Sequence, residues 1–64
     1  MTFDEYRNSE GITYAELARR IGVDRDSLYR WRTGERRISR FGALHVEEVT
    51  KGKITAKELR PDRY

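Results

Sequence analysis

Apolar residues recur along this chain at helical spacing and never alternate with period two for long. Thr13 precedes Tyr14, Leu17, Ala18 and Ile21, an i, i+3, i+4, i+7 set that builds one apolar face. Glu16 follows at the position that completes a Thr-x-x-Glu capping box. Upstream, Phe3 and Tyr6 mark an amphipathic stretch from Thr2 to Ser9 that fits a first helix laid across the core. Asp24 is placed to cap a third helix whose inward pair is Leu28 and Trp31, and Ser39 to cap a fourth carrying Phe41, Ala43, Leu44, Val46 and Val49. Thr55 and Glu58 form a second box, which predicts a short helical turn ending before Pro61. Gly11, Gly22, Gly34 and Gly52 each follow one of these stretches, where a left-handed residue ends a helix. Gly42 lies inside the fourth. It marks either close backbone packing or a tolerated weak spot of about 1 kcal/mol relative to alanine. The pattern predicts an all-α single domain over residues 1–64 with about five short helices. The segment after Gly52 is open between a short helix and strands.

Composition narrows the class. A chain of 64 residues, 36% of them hydrophobic, supports one compact core, because a domain of this size buries only about 60% of its unfolded surface. There is no cysteine, which excludes thiolate metal sites, thiol nucleophiles and a disulfide scaffold. The longest apolar run is two residues, so no membrane span or signal-peptide core is expected and a cytoplasmic location is the default. The net charge of +3 conceals a strong asymmetry. Residues 1–18 carry −3, whereas residues 19–40 hold eight arginines against Asp24, Asp26 and Glu35, a net of +5. Clustered arginine of this kind is the footprint of a nucleic-acid surface. A solvated charged face is the competing reading, and charge alone does not choose.

The stretch Tyr14 to Thr33, YAELARRIGVDRDSLYRWRT, does choose. Ala18 is small where a second helix would cross above it, and Gly22 permits the positive backbone angle of a tight turn. Val23 plugs the corner, while Leu17, Ile21, Leu28 and Trp31 face inward. This resembles a helix-turn-helix DNA-binding unit, whose second helix lies in the major groove. Beyond it run Trp31-Arg32-Thr33-Gly34, Arg37-Ile38, Ala43-Leu44, Val46-Glu47, Thr50, Gly52 and Leu59-Arg60-Pro61-Asp62. That succession over residues 13–64 is similar to the small Cro-type phage repressors and the related YdaS-type regulators. The resemblance implies a compact lambda-repressor-like bundle that represses transcription as a homodimer on double-stranded operator DNA. Some such relatives end in helix and others in a β-hairpin.

With Leu28 and Trp31 inward, helical geometry turns Asp26, Tyr29, Arg30 and Thr33 outward, with Arg25 at the entering end. These positions correspond to the base-reading face in the family. Arg25 and Arg30 are the candidates for bidentate contact with guanine. Tyr29 offers a ring edge and a hydroxyl. Asp26 either accepts from a cytosine amino group or, the favoured role, pairs with Arg30 at i, i+4. Thr13 and Tyr14 open the second helix, whose free amides suit a phosphate. Arg32, Arg36, Arg37 and Arg40 flank the exit of the recognition helix and are the other phosphate candidates.

Other features read as structure. His45 is the only histidine, so it has no partner ligand of its kind, and no metal or other cofactor is expected. Glu47 and Glu48 are adjacent on a helix, where side chains diverge by about 100°, and they read as a solvated face. No glycine-rich phosphate loop and no nucleophile beside a base is present, so neither an enzyme nor a small-molecule substrate is expected. The leading function is a sequence-specific DNA-binding repressor. The alternatives are an antitoxin-type protein-interaction module and a non-specific DNA-binding protein. The fourth helix and the tail from Ile54 to Leu59 are the candidate dimer surface.

Overall fold

The computed structural model describes all residues, 1–64, and is wholly helical. The helices are α1 (Phe3–Glu10), α2 (Tyr14–Ile21), α3 (Arg25–Thr33), α4 (Arg40–Val49) and α5 (Ala56–Leu59). None exceeds 10 residues, and isolated helices this short are marginal in water. Their ends are therefore fixed individually. Thr2, Thr13, Asp24, Ser39 and Thr55 each stand in extended conformation and accept a hydrogen bond from the amide three residues on.

The boxes are only partly as the spacing predicts. Thr55 and Glu58 bond reciprocally, and so do Thr2 and Glu5. At α2 the Thr13 hydroxyl accepts from the Glu16 amide at 3.2 Å, but the Glu16 carboxylate turns to Arg19 and Arg20 instead of the cap. Two guanidiniums on the next turn outcompete one backbone amide.

The core gathers Leu17, Ala18 and Ile21 of α2, Leu28 of α3, Ile38, Ala43 and Val46 around α4, and Ile54 and Ala56 at α5. Phe3 and Tyr6 lay α1 across it, with 6% and 4% of their surface exposed. Gly22 takes φ +90° at the α2–α3 turn, where its amide and that of Val23 both donate to the Ala18 carbonyl. His45 is structural, since its Nε2–H donates to the Ile21 carbonyl at 2.7 Å and closes the last turn of α2 from α4. Gly42 is a close-packing glycine, because a Cβ there would meet Ile38 Cγ1 at 3.0 Å.

Four expectations are corrected. Trp31 is half-buried, packing against the core rather than within it. Leu28 already fills the centre of the α2–α3 contact, and the larger indole stays at its rim. α4 ends at Val49, before Gly52, because Lys51 already takes the left-handed conformation, φ +55°, and the Gly52 amide donates back to the Glu47 carbonyl at 2.8 Å. The segment Ile54–Leu59 is a poor dimer surface, since Ile54 and Ala56 are 0% and 3% exposed. α5 folds back on α4, and Glu47, expected on a solvated face, accepts from the Ala56 amide at 2.7 Å.

Thr50 is the only buried polar residue, 2% exposed. Its hydroxyl donates to the Val46 carbonyl at 2.8 Å and accepts from the Ile54 amide at 3.1 Å, joining α4 to the returning tail. Thr50→Val preserves shape but leaves the buried Ile54 amide without an acceptor. It should destabilise the domain by about 1–3 kcal/mol, read as a lower melting temperature by far-ultraviolet circular dichroism. An unchanged transition would show that the hydroxyl is not what holds the tail.

Candidate functional site

Burial of Leu28, with 0% of its surface exposed, fixes the rotation of α3 about its axis. Arg25, Asp26, Tyr29, Arg30 and Thr33 all consequently lie on the exposed side, and Tyr29 keeps 54% of its surface in solvent. The Thr33 hydroxyl donates back to the Arg30 carbonyl at 3.3 Å, leaving its oxygen free to accept. Asp26 and Arg30 do not form the expected ion pair; neither side chain is bonded to another group of the chain. Both are exposed, and an exposed i, i+4 pair yields only about 0.3–0.5 kcal/mol, too little to immobilise two side chains when no ring or further hydrogen bond supports them. Arg30 is thus unclaimed by its own helix.

The candidate phosphate contacts divide into two groups. Arg36 and Arg40 have no carboxylate partner, although the Arg40 guanidinium lies 5.0 Å from the Phe41 ring centroid. Arg32 and Arg37 are held by acids from the two ends of the chain. Arg32 Nε donates to Asp4 at 3.1 Å, and Arg37 Nη2 donates to Asp62 at 3.1 Å. Thr13 is exposed and its hydroxyl oxygen caps α2. Tyr14 is half-buried, and its hydroxyl donates to Asp4 Oδ1 at 3.2 Å, so its proton is already committed. Burial, then the nearby Asp4 charge, push the Tyr14 phenol above its ordinary range.

The Arg32 guanidinium brings several of these groups together. It lies 5.6 Å from the Tyr14 ring centroid and 5.9 Å from that of Tyr29, distances at which a cation is attracted by the ring face. It therefore links the start of α2 to the outward side of α3. Arg7 of α1 approaches the same Tyr14 ring at 5.6 Å. The Arg32 hydrogen bond is the main reason the Asp4 carboxyl sits below its ordinary range. Sequence reasoning missed Asp4, because nothing in a pattern of local spacing links it to a residue 28 positions away.

Leu59-Arg60-Pro61-Asp62 also acquires a physical role. Arg60 donates through Nε and Nη2 to Asp62 at 3.1 and 2.9 Å, and through Nη1 to the Ile38 carbonyl at 2.7 Å. This fork ties the tail to the segment entering α4, and the same Asp62 holds Arg37. The Arg60 bonds lower the Asp62 carboxyl to about 2. Because the folded value is depressed, the contribution of this tether is complete above the unfolded value of 3.8 and is lost as pH falls through about 2. A carboxyl NMR titration should place the Asp62 midpoint near that lower value in the wild type. A midpoint at the ordinary position would mean that the fork is not formed in solution.

No helix is long and apolar enough to cross a membrane. No curated protein and no solved structure matches the chain. A family model does: that of the bacterial toxin YdaS matches residues 11–64, spanning the helix-turn-helix, α4, α5 and the Arg60–Asp62 fork. This chain belongs to the YdaS family, whose members are small helix-turn-helix regulators or toxin-related proteins.

Proposed function

We propose that the protein is a sequence-specific, double-stranded-DNA-binding transcriptional regulator, acting in the cytoplasm as a Cro-like repressor. The observation that carries this reading is the outward face of α3. Arg25 and Arg30 are exposed there without a carboxylate partner, beside exposed Tyr29 and Thr33. Desolvating an arginine already paired to a carboxylate loses that partner, whereas an unpaired one is free to chelate guanine O6 and N7 in the major groove. Arg36 and Arg40 follow just beyond the helix and suit the phosphate backbone, which supplies affinity without sequence preference. Function is by binding rather than catalysis, and it calls on no cofactor or small-molecule substrate.

One recognition helix reads only a few base pairs. Two copies related by a two-fold axis would read a palindrome with half-sites about 34 Å apart. The apolar residues available for such pairing are Phe41 and Leu44 of α4, 71% and 40% exposed. The family description as a toxin favours a second reading, in which a bound protein partner rather than an operator is the target. Selection of bound duplexes from a random library distinguishes the two. Enrichment of a palindromic site supports the regulator, and no enrichment over the input sinks it.

On the enriched site Arg30→Ala should cost about 1–3 kcal/mol and relax the preference at one base pair, with a smaller loss on scrambled DNA. Arg36→Ala should weaken both duplexes alike and reduce the salt slope by about one unit. Fluorescence anisotropy at several salt concentrations measures both. Equal losses on the two DNAs for Arg30→Ala would mean that α3 does not read bases.

A further inference from the structure

We propose that Asp4 is a positioning residue of the DNA contact: its carboxylate holds Arg32 by Nε so that both terminal amino groups of the guanidinium are presented to a backbone phosphate beside the start of α2. The inference rests on the DNA-binding reading above and deepens it.

The geometry is specific. Asp4 Oδ2 accepts from Arg32 Nε at 3.1 Å, and Asp4 Oδ1 accepts from the Tyr14 hydroxyl at 3.2 Å. One carboxylate of α1 thereby grips one side chain of α2 and one of α3. The contact with Arg32 uses only Nε–H, and Nη1 and Nη2 donate to nothing in the chain. Those are the donors that form a two-pronged contact with phosphate. The guanidinium is further held near the Tyr14 and Tyr29 rings. A long side chain loses much rotamer freedom when it binds, and one already fixed by a carboxylate and two rings loses less.

Charge does not argue against a phosphate here. The cluster contains Asp4 against Arg7 and Arg32, a net positive site, and the open cleft beside it between α2 and α3 adds Arg25 and Asp26, whose charges cancel. A carboxylate near DNA acts by default as a repulsive charge, so its removal should tighten binding. Positioning predicts the opposite sign, which makes the test decisive.

The test compares wild type, Asp4→Asn, Asp4→Glu, Arg32→Ala and the Asp4→Asn/Arg32→Ala double variant. Each is titrated against a duplex from the selected pool and a scrambled duplex, at several salt concentrations and below its melting transition. Arg32→Ala should reduce the salt slope by about one unit on both DNAs. Asp4→Asn should weaken both by about three- to fivefold, the range of an oriented exposed ion pair. Asp4→Glu should restore much of that loss. In the Arg32→Ala background, Asp4→Asn should cause no further weakening. Should Asp4→Asn fail to fold, Tyr14→Phe removes only the hydroxyl donor to Asp4 and should give a smaller loss of the same kind. Binding by Asp4→Asn as tight as, or tighter than, wild type overturns the proposal while leaving the DNA-binding reading intact. A wild type that binds neither duplex overturns both.

Discussion

The contact of Leu28 with Leu17 and Ile21 is the constraint on which the site depends. All three are at most 1% exposed, and each fully buried aliphatic side chain contributes about 1.5–3 kcal/mol. That contact does more than stabilise. It pins the rotation of α3, so that Arg25, Asp26, Tyr29, Arg30 and Thr33 can only lie outward. Rotating the helix to present another face would expose Leu28 and bury arginine, and a buried unpaired charge is far costlier than an exposed leucine. Ala18 and Gly22 serve the same contact, one by its small size and one by the left-handed turn that lets α3 fold back over α2.

A chain this small has little stability to spare, and its helices are too short to stand alone. Side chains at the helix ends make up much of the difference. Five N-caps satisfy first-turn amides locally. His45, Glu47 and Thr50 go further and satisfy backbone groups belonging to other elements or to the returning tail. Arg60 does the same for the Ile38 carbonyl. α4 is thus the hub through which α2, α5 and the tail are tied, while α3 is held mainly by its apolar side and remains open on the other.

What was legible in the sequence follows the range over which each interaction acts. The caps and the α2–α3 turn are set within a few residues, and the Thr13, Asp24, Ser39 and Thr55 signals correspond to real helix starts. The outward side of α3 follows from helical periodicity once Leu28 is inward. Periodicity says less about depth, which is why Trp31 shares an inward face with Leu28 and yet stays half-exposed. Pairings across the chain carry no local signal: Asp4 with Arg32, Arg37 with Asp62, and Glu47 with the Ala56 amide all depend on tertiary placement. Asp26 and Arg30 are the converse case, spaced correctly on one helix but too exposed to hold each other.

A buried leucine and the outward face of α3 are connected here by geometry alone. The most direct test is to titrate isotopically labelled protein with a duplex from the selected pool and follow the backbone amide signals. If α3 enters the groove by its outward face, the largest shifts fall on Arg25–Thr33 and on Thr13 and Tyr14, with the buried amides around Leu17 and Val46 little changed. Shifts concentrated on the Phe41 and Leu44 side of α4, with α3 unaffected, would contradict it.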